Sequence, residues 1–194
     1  MNKLFLTSDF HFSHKNIIKY CNRPFSSVEE MDKKLIQNIN DIVGEEDVLW
    51  FLGDFCFARH DYFEVAKRYR DRIHCKNVSC IFGNHDGKEI APLFSSAQDY
   101  AEIKWQGQMI VVCHYLMAVW NRSHHGAIHC YGHSHSTVEK WADKVMPGRR
   151  SIDVGVDNAA KILGEYRPFS FEEIMGIMKN KKGHSIDHHG KTDE

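Results

Sequence analysis

The chain has 194 residues, 42% of them hydrophobic and 26% charged, with a formal net charge of −1 at pH 7. That length and composition suit one folded unit with a sizeable core, and the near-zero charge gives no global basic field directed at nucleic acid or an anionic membrane. The N-terminus, MNKLFLTSDF, lacks the apolar core of a signal peptide, and no run approaches the ~18 apolar residues of a membrane span, so a cytoplasmic protein without a membrane partner is expected.

The first apolar run, 3–7, reads as a buried strand that ends in Ser-Asp-Phe-His. Ser26-Ser27-Val28-Glu29-Glu30 then offers a capping box in either register, and Val28, Met31, Leu35, Ile39 and Ile42 follow at helical spacing up to Gly44. A strand over 48–52, a helix over about 60–71 with Tyr62, Val65, Ala66 and Tyr69 on one face, and a strand over 78–82 come next. This alternation predicts βαβ units and a mainly parallel sheet. YAEIKW and QMIVVC, joined at Gln106-Gly107, predict a hairpin, so antiparallel pairing is expected as well. Residues 117–127 read as a loop, 128–131 as a strand, 136–150 as a second long loop, and SIDVGV at 151–156 as a half-buried strand. A last helix is expected over 170–179, capped by Ser170 with Glu173 three residues on. Residues 1–180 read as a single domain and 181–194 as a flexible polar tail with solvated Lys181 and Lys182. The six Cys include no C-x-x-C pair and several lie in apolar runs, which predicts reduced core residues.

The informative feature is what stands at the strand ends. In open α/β sheets functional loops cluster outside the carboxyl ends of the strands. That rule gathers Asp9 and His11, Asp54, Asn84 with His85 and Asp86, His114, and His133 with His135. Seven of these, Asp9, His11, Asp54, Asn84, His114, His133 and His135, make two incomplete shells of four if one carboxylate is shared. No thiolate stands among them, against a structural zinc–cysteine site. Mixed carboxylate and imidazole donors suit two divalent ions, Mn²⁺, Fe, Zn²⁺ or Ni²⁺, and a pair roughly 3.5–4 Å apart is the clamp used for displacement at phosphorus.

The patterns D-x-H, G-D, G-N-H-D, a lone His after a strand, and G-H-x-H occur in that order between Asp9 and His135. Together they resemble the calcineurin-like metallophosphoesterase family. The resemblance implies a four-layer αββα sandwich, two mixed β-sheets flanked by helices. It implies that Asp9, His11 and His135 hold a first metal, that Asp54 bridges, and that Asn84, His114 and His133 hold a second. His85 matches the imidazole that meets substrate without binding metal. The expected chemistry is in-line attack of a metal-bridging hydroxide on a phosphoester, with His85 protonating the leaving oxygen and Asp86 orienting His85 or a ligand imidazole. A chain this short has little room for a specificity cap, so an open cleft is expected, which favours a phosphodiester over a monoester. A nucleotide or nucleic-acid end is among the expected substrates. His14, Arg23, Arg59 and Arg122 are candidate substrate contacts, and Asp153 and Asp157-Asn158 candidate supports for a ligand. The rival reading is a non-catalytic, metal-bound binding protein on the same fold.

Overall fold

In the computed structural model, residues 2–183 are described. In chain order the elements are β1 (Leu4–Thr7), α1 (Lys15–Tyr20), α2 (Val28–Ile42), β2 (Val48–Phe51), α3 (Tyr62–Arg70), β3 (Asn77–Ile81), β4 (Ser96–Gln98), β5 (Tyr100–Trp105), β6 (Gln108–Cys113), β7 (Ile128–Tyr131), α4 (Glu139–Val145), β8 (Ser151–Asp153), α5 (Val156–Leu163), β9 (Phe169–Ser170) and α6 (Phe171–Met178), with short 3₁₀ turns at Lys88–Leu93 and Ser123–His125. They build two mixed sheets. The first has the order β4-β3-β2-β1-β9 and the second β5-β6-β7-β8. β1 to β4 pair in parallel and β9 runs antiparallel to β1. In the second sheet β5 is antiparallel to β6, and β6, β7 and β8 are parallel.

Side-chain alternation sorts the strands into layers. Phe5, Leu49, Phe51, Val78 and Cys80 point to one face of the first sheet and join Met31, Leu35 and Ile39 of α2 and Ala66 and Tyr69 of α3 in one core. Leu4, Leu6, Trp50 and Ile81 point to the other face and meet Ile110, Val112, Ile128, Cys130 and Ile152 of the second sheet, with Ile174 and Met178 of α6. Val111, on the far face of the second sheet, packs on Trp120 and Ala127. This is the αββα sandwich the resemblance implies.

Local signals explain the boundaries. Of the two capping registers before α2, the structure uses Ser27, whose hydroxyl accepts from Glu30 N–H, while the Glu30 carboxylate reaches back to Ser26 N–H. α6 has the reciprocal box between Ser170 and Glu173. Gln106 and Gly107 both take positive φ, the two-residue turn whose twist matches a hairpin's strands.

Several expectations need correction. The run read as a strand over 151–156 is β8 only over Ser151–Asp153; Gly155 crosses to form an isolated parallel bridge with Ser8, and Val156 opens α5. The long loop read over 136–150 contains α4, whose Glu139 and Asp143 pair with the fully buried Arg149. Lys181 is not solvated: it is partly buried and donates to Ser151 O. Residues 184–194, the rest of the expected tail, lie outside the described residues. Among the described residues all six cysteines are free thiols, and no helix is long and apolar enough to cross a membrane.

Candidate metal centre

The segments that leave the carboxyl ends of β1, β2, β3, β6 and β7 meet at one edge of the sandwich. Two donor triads of the expected residues form there, beside a third made by Cys21, His135 and Asp157. In each, one ligand atom per residue lies within 4.8 Å of the others: Asp9 with His11 and His135, and Asp54 with His114 and His133. Asn84 completes the second, its Oδ1 lying 3.1 Å from His114 Nε2 and 2.8 Å from His133 Nδ1. The triads share an edge. Asp54 Oδ2 is 3.5 Å from His11 Nε2 and 3.5 Å from His114 Nε2, while Asp54 Oδ1 accepts from His85 N–H at 2.9 Å. The Asp9 carboxylate accepts the His133 N–H at 3.0 Å, tying the first loop to the last.

The residues present fit divalent metal binding. His11 is 1% exposed, and neither of its ring nitrogens has a hydrogen-bond partner. A buried imidazole with two unanswered nitrogens is costly unless another group completes it. The remaining donors are oxygen and imidazole nitrogen, the set suited to manganese, iron or zinc.

Backbone geometry shows the same focus. Asp9, His11, Asp54, His133 and His135 all adopt positive φ, between 46° and 68°. Left-handed backbone at a non-glycine residue costs about 1–2 kcal/mol and collects where a site demands it. Gly83 and Gly132 serve close approach instead. A Cβ on Gly83 would stand 2.2 Å from Asp54 Oδ1, and one on Gly132 would stand 2.7 Å from Asp9 Oδ2.

Neighbouring groups fix the imidazoles. His114 Nδ1 lies 2.7 Å from Leu52 O, so this nitrogen donates and Nε2 faces Asp54. His135 Nδ1 lies 2.7 Å from Asp157 Oδ2. Asp157 is held in turn by Arg23, whose Nε and Nη2 reach its two oxygens at 2.9 and 2.8 Å. Such partners set the tautomer and aim of a metal-binding imidazole.

The charges follow from this packing. Burial pushes the Asp9 carboxyl up to about 7, against the pull of His135. Burial also pushes the His11 imidazole down to about 2. For Asp54 burial opposes ionisation, but the hydrogen bond and charge of His114 outweigh it and hold the carboxyl at about 2. His114 responds in kind: burial disfavours its charge, yet Asp54 and Asp9 raise it to about 9. His135, also opposed by burial, is raised to about 10 by Asp157, Cys21 and Asp9.

The structure brings His85 to the same edge. It is exposed, its ring 5.3 Å from that of His11. His14 lines the cleft, with its ring stacked 4.4 Å from Phe57. Other expectations fail. Asp86 does not orient an imidazole: its carboxylate accepts from the backbone N–H of Asp54, Phe55 and Gly83 and from Tyr62 Oη, so it braces the two loops that carry Asp54 and Asn84. Arg23 is 3% exposed and spent on Asp157 and the carbonyls of Asp9 and Phe10, so it does not present its fork to a phosphate. Arg122 stands beside Lys104, Gly107 and Gln108 at the opposite edge, because the chain must return to the amino end of β7 to pair in parallel with β6. Arg59 is exposed and is not among the residues lining the cleft. Asp157, a candidate support, is hydrogen-bonded to His135. Asp153 instead accepts from Ser134 Oγ, Ser136 N–H and Gly155 N–H, shaping the loop around His135.

Comparison with known proteins gives the family. Residues 3–155 match the model of the calcineurin-like phosphoesterase superfamily domain. The chain belongs to that superfamily. An uncharacterized protein of Methanocaldococcus jannaschii is 34% identical to this phosphoesterase domain over 184 residues, covering 94% of each chain. The gene 66 protein of Mycobacterium phage L5 is 33% identical over 88 residues, covering 45% of this chain and 41% of its own. Among solved structures, a protein of unknown function from Aquifex aeolicus has a TM-score of 0.71 at 23% identity, covering 91% of this chain and 100% of its own, a likeness of fold.

Proposed function

We propose that this phosphoesterase works with two divalent cations, one held by Asp9, His11 and His135 and the other by Asn84, His114 and His133, with Asp54 shared between them. The observation that carries the reading is Asp54 Oδ2, 3.5 Å from both His11 Nε2 and His114 Nε2. When bound, the cations would supply an acidified water for in-line attack at phosphorus and offset the charge that grows on the phosphoryl oxygens. The chain's own residues do the rest. Arg23 holds Asp157, and Asp157 commits Nδ1 of His135. Leu52 O does the same for His114. His85, exposed at the cleft and held by its N–H to Asp54 Oδ1, is placed to protonate a leaving oxygen, a role worth roughly 10²–10⁴-fold. The cleft beside the triads measures about 990 Å³ and is open along one side, which favours a phosphodiester, with two substituents, over a monoester.

The test is turnover of bis(p-nitrophenyl) phosphate and p-nitrophenyl phosphate by protein reconstituted with Mn²⁺, Zn²⁺ or Ni²⁺, with metal content measured alongside. His85→Ala keeps its metal and loses about 10²-fold or more in kcat; undiminished turnover removes His85 from the reaction. Asp54→Ala binds less metal, and two retained equivalents would contradict the shared carboxylate.

A further inference from the structure

The cleft is lopsided. Its walls come from α1 and the residues just after it, from 133–138, from α5 and from Tyr166. Among the described residues, none from the 115–127 segment that follows His114 lines it. Room for a large substituent therefore lies on the side of Asp9, His11 and His135.

That side carries a strip of rings. His14 stacks on Phe57 at 4.4 Å with 20° between the planes, and Tyr20 meets His14 edge-on at 6.2 Å. His85 closes the inner end, 6.1 Å from Phe57 and 6.3 Å from His14. Tyr20, at the outer end on the rim, is 68% exposed. Tyr166 and Lys161 also line the cleft; Lys161, the one Lys or Arg among the described lining residues, donates to Ser136 Oγ. Asn22, exposed and at positive φ, adds a polar group beside Tyr20. A flat ring with polar edges can stack on Tyr20 and use Asn22 and Lys161. An acyl chain would meet Ile17, Val138 and Ala160, but would also set hydrocarbon against an ammonium and an amide. The volume, about 990 Å³, is at the upper end for small-molecule sites and suits a nucleotide-sized ligand.

Resting on the phosphoesterase reading above, we propose that this wall is a nucleoside subsite, with Tyr20 as the stacking platform for the base of a nucleoside phosphodiester. The experiment holds the leaving group constant. Thymidine 5′-(p-nitrophenyl) phosphate, methyl p-nitrophenyl phosphate and decyl p-nitrophenyl phosphate are compared by kcat/KM with Mn²⁺-reconstituted protein. The thymidine ester is preferred over the methyl ester by about 10-fold or more, the scale of one base stacked on an aromatic ring. That ratio collapses in Tyr20→Ala and is kept in Tyr20→Phe. Calorimetric titration gives a second readout: thymidine 5′-monophosphate binds more tightly than methyl phosphate to the wild type, and the difference disappears in Tyr20→Ala. Equal kcat/KM for the thymidine and methyl esters, a ratio unmoved by Tyr20→Ala, or a greater preference for the decyl ester overturns the subsite. If none of the esters turns over with any metal, the phosphoesterase reading falls, and the calorimetric difference still decides the subsite.

Discussion

Replacing Arg23 with alanine separates a structural role from a substrate role by magnitude. In the native protein the guanidinium is buried and holds both Asp157 oxygens at 2.8–2.9 Å, with Asp9 O and Phe10 O at 2.7 and 3.0 Å. Arg23→Ala leaves a buried carboxylate short of its cation, a loss of about 3–5 kcal/mol for such a pair. His135 remains on Asp157 Oδ2 and softens that loss. Two carbonyls also lose a donor, at about 1 kcal/mol each, so with His135 still in place the expected loss is about 5 kcal/mol, the low end of the combined range. For a chain of this size that lowers Tm on the order of 10 °C. Urea denaturation of the metal-free protein at pH 7, followed by circular dichroism, measures it. Asp157, no longer pinned by Arg23, fixes His135 less firmly, so metal affinity falls with stability. A loss below about 1 kcal/mol together with a raised KM would refute the reasoning and return Arg23 to the substrate, as its place in CNRPF first suggested.

Gly83→Ala forces a methyl group to within 2.2 Å of Asp54 Oδ1 and 2.5 Å of Asp54 N. The shared carboxylate must move, so metal content falls and Tm drops with a cost of about 1–3 kcal/mol; unchanged metal content would show that the loop yields elsewhere. Proton inventory is the other check. In the metal-free protein His114 and His135 hold protons up to about 9 and about 10, above the unfolded imidazole value of 6.5. Their stabilising contribution is complete below 6.5 and is lost as pH rises through those two values. Loading metal at pH 7.5 must expel both protons, so calorimetric heats of Mn²⁺ binding depend on the ionisation enthalpy of the buffer, and affinity rises with pH. Heats independent of buffer would place the metal elsewhere.

The meeting of the strand ends was legible because each donor follows an apolar run, and parallel pairing turns all those ends to one edge. What the sequence hid were features set by tertiary contact. β9 is two residues long and exists because Phe169 and Ser170 pair with β1; nothing local marks it. α4 is short and mostly charged, and only Ala142 is buried, so no apolar periodicity announces it. Arg122 follows His114 by eight positions and yet stands at the far edge, since distance along a crossover loop says little about which end of the sheet is reached. Asp86 sits beside His85 in the sequence but turns to three backbone amides, which a motif cannot reveal. The Arg23–Asp157 contact joins residues far apart in the chain, and residue type alone did not tell a clamp from a phosphate hook.

The backbone at Asp9, His11, Asp54, His133 and His135 has a longer consequence. At each of these points glycine would relax the main chain while erasing a donor atom. Selection for a sturdier fold and selection for chemistry therefore pull in opposite directions at the same five residues. A descendant freed from its reaction should drift toward glycine there first, gaining thermal tolerance as it goes silent, and the residue at those positions in any relative would report whether that lineage still uses its metals.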